Sequence, residues 1–314
     1  MSRPLLVFSG SSHPDFFKSV CEELSIAPGN IDITHFSDGE LSVEIGDNVR
    51  GGDVFVIQSM SYPCNDRLME LLIIIDALKR SSAGRITATI LYYGYARQDR
   101  KVKPRVPITA KLVADMVSTA GADRVLTVDL HAGQIMGFFN VPVDNLYALP
   151  IMIPHVRERF GTENVTIVAP DVGGVERARY VATRLDNAPI AIIDKRRAGP
   201  NRVASMNVVG DVSGQTCVIV DDMVDTGGTL IKAADTLMEK GAAKVVACCV
   251  HAVLSGNARQ ALNESVLEEV VVSDTIKQTQ GEEGDKFSVI SVAPLIAEAI
   301  RRIHCDDSIS SLFR

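Results

Sequence analysis

The sequence predicts an α/β protein built from two copies of one domain, each a mainly parallel sheet flanked by helices. Three observations carry that prediction. Apolar runs bounded by turn residues alternate with amphipathic segments along the whole chain, which is the pattern of βαβ units. The two halves resemble each other: DALKRSSAGRITATI (76–90) aligns with DTLMEKGAAKVVACC (235–249), and GDVFVIQS (52–59) aligns with GQTCVIVD (214–221). The chain has 314 residues, enough for two domains of ordinary size.

Taken in order, strands are expected at DVFVIQS (53–59), RITATILYY (85–93) and RVLTVDL (124–130) in the first half. The second half adds VTIVAP (165–170), IAIID (190–194), CVIVDD (217–222) and KVVACCV (244–250). Helices are expected at RLMELLIIIDALKRS (67–81), PITAKLVADMVSTAG (107–121) and GTLIKAADTLMEKG (228–241), where apolar and polar residues recur with helical spacing. The connector falls near NLYALPIMIP (145–154), where prolines precede a fresh helical pattern. One more helix and a polar tail complete the C-terminus. The expected organisation is therefore an N-terminal domain over 1–147, a C-terminal domain over 148–303 and a tail over 304–314.

Composition excludes several classes. Hydrophobic residues make up 46% and charged residues 23%, the balance of a soluble globular protein with real cores. No apolar run reaches the 18 or so residues of a membrane span, and MSRPLLVFSG lacks a signal-peptide pattern, so a cytoplasmic protein is expected. The six cysteines show no C-x-x-C spacing, and Cys217, Cys248 and Cys249, in apolar strand-like runs, read as small buried hydrophobes in a reducing cytoplasm. A formal net charge of −7 argues against a general nucleic-acid binder, so any anionic ligand must be held by local basic clusters.

TCVIVDDMVDTGGT (216–229) poses the central chemical question, because negative charge is stacked at the end of a buried strand. The loop sits at a strand's carboxyl end and opens a helix, where open α/β sheets bind ligands. Backbone N–H groups of Thr226, Gly227, Gly228 and Thr229 suit a phosphate. Asp221 and Asp222 suit the hydroxyls of a sugar, with Asp225 close behind. An Asx-rich helix-capping turn and a receiver-type acidic pocket are the alternatives. Elsewhere, Phe36, Asp38 and Glu40 alternate in FSDGE, so an extended segment would project an aromatic ring and two acceptors to one side, either a solvated strand end or a surface that suits adenine. YARQDRKVKPR (95–105) packs five cations into eleven residues, either a solvated loop or a grip on a triphosphate through Arg97 and Gln98. His131 in DLHAGQI and Asp171 in APDVGG follow apolar runs. Gly173 and Gly174 after that Asp suit close backbone approach to a pyrophosphate. Lys195 and Arg197 in DKRR alternate after a buried strand, on one side of either a basic hairpin tip or a loop that closes over phosphates.

The stretch 216–229 resembles the phosphoribosyl-pyrophosphate motif of type I phosphoribosyltransferases. With FSDGE, NVRGGDVFVIQS, YYGYARQDRK, DLHAGQI, APDVGG and DKRR in order, nearly the whole chain resembles the ribose-phosphate pyrophosphokinase family. The resemblance implies two type I phosphoribosyltransferase-like domains. It implies ATP, ribose 5-phosphate and magnesium (Mg²⁺) as ligands. Phe36, Asp38 and Glu40 would read adenine in a neighbouring subunit. Arg97, Gln98, Asp99 and His131 would contact ATP, with His131 and Asp171 around its metal. Lys195 and Arg197 would be catalytic, and Asp221, Asp222, Asp225 and residues 226–229 would hold ribose 5-phosphate. It further implies a hexamer built from dimers, activated by phosphate and inhibited by ADP, with Arg50, Arg105, Asp144, Ser308, Ser310 and Phe313 at the effector site. Four positions depart from the family pattern: Gly228 stands where Ala is common, Met136 where Gln is frequent, and Val106 and Val175 are minor changes outside the matched chemical groups. A phosphoribosyltransferase would not need the duplicated half, and a non-catalytic associated subunit would disrupt the DKRR hairpin.

Overall fold

The computed structural model describes residues 3–199, 202–279 and 284–313, with the backbone alone for 195–199, 202–205 and 313. The chain forms two compact units. One comprises residues 1–147, 275–277 and 291–314, and the other residues 148–274 and 278–290.

In the first unit the chain runs β1 (Leu5–Ser9), α1 (Pro14–Leu24), β2 (Ile31–His35), β3 (Leu41–Ile45), β4 (Asp53–Gln58), α2 (Cys64–Arg80), β5 (Arg85–Ile90), α3 (Thr109–Ala120), β6 (Arg124–Val128) and β7 (Val143–Leu146). Five strands form one sheet in the order β1-β4-β5-β6-β7, every neighbouring pair parallel. All six residues of β4 are buried, as expected of a parallel strand covered on both faces. Its core includes Val54, Val56, Leu71, Ile75, Leu78 and Ile90. α1 starts sharply because Pro14 suits the first turn and His13 Nδ1 accepts from Phe16 N at 3.2 Å. β2 and β3 pair only with each other, as an antiparallel hairpin.

The second unit runs α4 (Leu149–Phe160), β8 (Val165–Ala169), α5 (Val175–Arg184), β9 (Ile190–Gly199), β10 (Arg202–Val209), β11 (Thr216–Val224), α6 (Gly228–Glu239), β12 (Lys244–Ala252), α7 (Ala258–Asn263), β13 (Glu269–Ser273) and β14 (Phe287–Ile290). Its sheet has the order β10-β9-β8-β11-β12-β13-β14, parallel except for the β9–β10 hairpin. The run β8-β11-β12-β13-β14 repeats β1-β4-β5-β6-β7, so the internal sequence similarity corresponds to one topology used twice. Each copy inserts a hairpin between its first helix and its second core strand. In the first unit that hairpin is a separate two-stranded sheet, and in the second it extends the main sheet.

One expectation is corrected. The helix α8 (Ala293–His304), assigned from sequence to the C-terminal domain ending at 303, packs on α1 in the first unit. Its apolar stripe (Ile296, Ala297, Ile300, Ile303) is buried there. A polar clamp adds to this contact. Asp53 is only 1% exposed, and its carboxylate accepts from Arg85 Nε at 2.7 Å and Arg85 Nη2 at 2.6 Å. His304 Nδ1 lies 2.8 Å from the same carboxylate, and Arg85 Nη2 also donates to the Ile303 carbonyl at 2.7 Å. The chain's end is thereby tied to the start of β4, a contact no sequence period announces.

Breaking a buried ion pair by removing one partner strands the other and typically costs 3–5 kcal/mol. Asp53→Ala is expected to lower unfolding free energy by about 3 kcal/mol or more in urea, and His304→Ala by about 1 kcal/mol. A loss below about 1 kcal/mol for Asp53→Ala would show that the helix is held by its apolar stripe alone.

Candidate functional site

Parallel pairing places all carboxyl ends of the core strands at one edge of each sheet, and the predicted motifs emerge there. In the second unit, Asp171 follows β8, and the acidic loop ends β11. Asp171 caps the short turn Val172–Gly174, its Oδ1 accepting from Gly174 N at 3.1 Å. The residue is exposed.

β11 runs further than the sequence suggests. It continues through Val224, so Asp221 and Asp222 lie within its last residues and alternate in exposure. Asp222 is buried at 4%, whereas the Asp221 side chain is one-third exposed. The run-on arises because Met223 and Val224 still pair with His251 and Ala252 of β12. Burial first, and then the neighbouring Asp222 carboxylate, push Asp221 up to about 7, while Arg177 pulls the other way. Arg177 Nη1 lies 3.2 Å from Asp221 Oδ1 and 3.5 Å from Asp222 Oδ1. Sequence reasoning missed Arg177: it stands on α5, forty-four residues from Asp221, and no spacing links the two.

The loop then turns through Asp225, Thr226 and Gly227 into α6. Gly227 is in the left-handed region (φ +75°), and a Cβ there would meet Leu262 at 3.1 Å. Gly228 has neither constraint, and a Cβ at that position would meet nothing within 4 Å. Thr226, Gly228 and Thr229 are exposed, so the helix N-terminus and its unbonded N–H groups face solvent.

In the first unit, Arg97, Gln98 and Asp99 follow β5, and His131 follows β6. Gln134 Nε2 donates to Asp99 Oδ2 at 2.7 Å, joining the two predicted segments YARQDRK and DLHAGQI. Gln98 Oε1 accepts from Thr109 Oγ1 at 2.6 Å, fastening the first of them to α3. Arg97 and His131 are exposed. Asp129, before His131, is buried and adopts φ +40°. Among the described residues, no cluster of three or more His, Cys, Asp or Glu side chains is arranged to hold a metal ion.

FSDGE is not extended. It forms the tip of the β2–β3 hairpin, with Phe36 N donating to the Glu40 carbonyl at 2.8 Å and Gly39 N to the Phe36 carbonyl at 2.9 Å. Gly39 takes φ +93°, which makes the Asp-Gly pair a turn signal that outweighs alternation. Phe36 is 59% exposed, and Asp38 and Glu40 are exposed beside it. The side chains of Lys195 and Arg197 lie outside the described residues, although their backbone continues β9, paired with Met206 and Val203 of β10. Of the effector candidates, Arg50 and Arg105 are exposed, Asp144 pairs with Arg124, and Ser308 Oγ donates to Ser310 Oγ at 3.1 Å. The Phe313 side chain lies outside the described residues.

Two copies of a parallel sheet with the motif-bearing loops at the carboxyl edge, one an acidic strand-to-helix turn, define a duplicated fold of the phosphoribosyltransferase type. The N-terminal domain model of ribose phosphate pyrophosphokinase matches residues 5–121, and the phosphoribosyl synthetase-associated domain model matches residues 196–314. The chain is 54% identical to a ribose-phosphate pyrophosphokinase of Marinomonas sp. over 98% of each chain. It is 52% identical to that of Clostridium perfringens over 100% of this chain and 98% of the relative. The crystal structure of phosphoribosylpyrophosphate synthetase from Mycobacterium smegmatis superimposes with a TM-score of 0.92 at 44% identity, covering 97% of this chain and 100% of that one. The chain belongs to the ribose-phosphate pyrophosphokinase family, transferases of the kinase type that serve nucleotide biosynthesis.

Two outcomes follow from the loop. Gly228→Ala is expected to keep the fold and to stabilise it by up to about 1 kcal/mol, whereas Gly227→Ala costs about 1–2 kcal/mol. Equal melting shifts for the two would contradict the left-handed cap. The raised Asp221 has a sign: the fold favours its protonated form, so the cost of ionising it is absent below the ordinary value of 3.8 and grows until pH reaches about 7. Asp221→Asn is expected to raise the melting temperature of the ligand-free protein at pH 8, with the gain vanishing near pH 4. A gain independent of pH would place the effect elsewhere.

Proposed function

We propose that the chain transfers the β,γ-diphosphoryl group of Mg-ATP to the 1-hydroxyl of ribose 5-phosphate, giving 5-phosphoribosyl 1-pyrophosphate and AMP. The product feeds nucleotide, histidine and related biosynthesis. The observation that carries this reading is the β11–α6 turn, where paired carboxylates precede a left-handed glycine and an exposed helix N-terminus. Carboxylates accept from sugar hydroxyls, and the helix N-terminus takes a phosphate, so one ligand needs both chemistries at this spacing. The names of the relatives agree with a pyrophosphokinase.

On this reading Asp221 and Asp222 hold the ribose, and Asp225, Thr226, Gly227, Gly228 and Thr229 hold its 5-phosphate. Arg97, Gln98, Asp99 and His131 contact ATP, and Phe36, Asp38 and Glu40 of a neighbouring subunit take its adenine. The exposed ring and acidic pair of that hairpin tip support the last assignment. An exposed carboxylate such as Asp171 is the oxygen donor that magnesium prefers, and this ion commonly completes its shell with phosphate oxygens and water. Asp171, with His131 as the weaker donor, would hold the ion, which when bound neutralises charge on the transferring phosphates. Lys195 and Arg197 supply cations over the transferred group, and in-line positioning does the rest. The enzyme is cytoplasmic and assembles as a hexamer built from dimers. Phosphate activates it and ADP inhibits it through Arg50, Arg105, Asp144, Ser308, Ser310 and Phe313.

Incubation with Mg-ATP and ribose 5-phosphate is expected to release AMP. Formation of a nucleotide from phosphoribosyl pyrophosphate and a base, without AMP release from ATP, would indicate a phosphoribosyltransferase instead. Lys195→Ala and Arg197→Ala are each expected to lower kcat by roughly 10²–10³ with little change in ribose 5-phosphate affinity. A raised KM at unchanged kcat would move both to ground-state binding. Met136 is 37% exposed and offers a thioether, a weak acceptor and no donor. Met136→Gln is therefore expected to reach half-maximal activation at lower phosphate than the wild type, and superimposable curves would make Met136 a packing residue.

A further inference from the structure

Asp221 and Asp222 share one cation, to which the proposed reaction gives no role. Arg177 is the third residue of α5, and its Nη1 reaches Asp221 Oδ1 and Asp222 Oδ1 at 3.2 and 3.5 Å. The guanidinium is one-fifth exposed, and the Asp222 side chain is 6% exposed. A second bond organises the pair, as Asp222 N donates to Asp221 Oδ1 at 2.9 Å. Other titratable groups near this strand end include Cys248, Cys249 and His251 on β12, beside Val220, Asp221 and Met223, and Asp225 in the loop beyond. The paired segment of β8, on the other side, contributes none.

Two adjacent carboxylates cannot both ionise cheaply without a cation, and a protonated carboxyl presents a donor where a sugar hydroxyl needs an acceptor. A ligand that donates two hydroxyl hydrogens therefore requires the cation as much as the acids. We propose that Arg177 is the positioning residue that favours ionisation of the acidic pair of β11 and aims it, and so sets the pH below which the site stops accepting ribose 5-phosphate. The inference rests on the reading of the β11–α6 turn as the ribose 5-phosphate site. Asp221 is already pushed up by burial and by Asp222 despite this contact, so removal of Arg177 acts on a group poised near neutrality. Cys249 is held well above its ordinary range, chiefly by burial, and stays a neutral thiol, whereas Arg177 is a cation in contact with both carboxylates.

Ribose 5-phosphate binding to the full chain would be measured by calorimetry from pH 6 to 8.5, alongside steady-state kinetics at saturating Mg-ATP. In Arg177→Met the midpoint of the pH dependence is expected to move up by about one unit or more. KM for ribose 5-phosphate at pH 7 should rise about tenfold, while kcat at saturation stays within about threefold. Arg177→Gln, which keeps donors but not charge, is expected to shift the midpoint alike and serves if the methionine variant fails to fold. Arg177→Lys should hold the midpoint within about half a unit of wild type. A uniform loss of affinity at every pH, or a lysine variant shifted as far as the methionine one, would overturn the proposal and leave Arg177 a packing residue. Asp221→Asn separates the two levels: it should weaken binding across the range. Wild-type affinity in that variant would remove ribose 5-phosphate from this loop and take the inference with it.

Discussion

Parallel strand pairing is the constraint on which the rest of this structure depends. A strand that must lie parallel to its neighbour returns through a crossover, so all its neighbours' carboxyl ends gather at one edge. In both units loops that carry the sequence motifs leave from that edge, after β5 and β6 in the first and after β8 and β11 in the second. Helices cover both faces, which is why the central strands read as unbroken apolar runs.

The two copies treat the same edge differently. At the end of β4 the first unit closes its own polar groups. Ser59 N donates to Ser12 Oγ at 2.9 Å, and Ser59 Oγ donates to the Thr275 carbonyl at 2.8 Å. Beside it, the buried Glu70 takes the Ser11 hydroxyl at 2.6 Å and the Gln58 amide at 2.9 Å. At the equivalent end of β11 the second unit instead leaves Asp221 half-buried, with its charge answered by one arginine. A satisfied polar network is stable, whereas a carboxylate raised to about 7 is costly to ionise in the free protein. The inserted hairpins diverge in parallel fashion. One is a separate two-stranded sheet packed against the core, with FSDGE at its tip, and the other joins the main sheet and carries DKRR.

Much of this is legible without coordinates, and the failures have identifiable causes. The helices at 67–81, 107–121 and 228–241 and the strand runs agree with observed elements to within a few residues, because long periodic segments bury one face whatever their partners. FSDGE departs from the extended form its alternation predicts, because alternation is weak over five residues and an Asp-Gly turn closes the hairpin instead. The β11 strand overruns its predicted end because backbone pairing with β12 continues past the acidic residues. The C-terminal helix has a clear apolar stripe, yet a stripe does not say which surface will cover it, and α8 belongs to the first unit.

The sequence by itself determined the α/β class, the duplication and the family. Those properties reside in local periodicity and in contiguous residues, which need no partner to be recognised. Only the tertiary structure decided which distant groups meet: Arg177 with Asp221 and Asp222, Gln134 with Asp99, and Asp53 with Arg85 and His304. Such pairs join separate elements through side chains whose spacing along the chain has no period. Their electrostatic consequences depend on burial and on a few ångströms of separation, which only the folded chain sets.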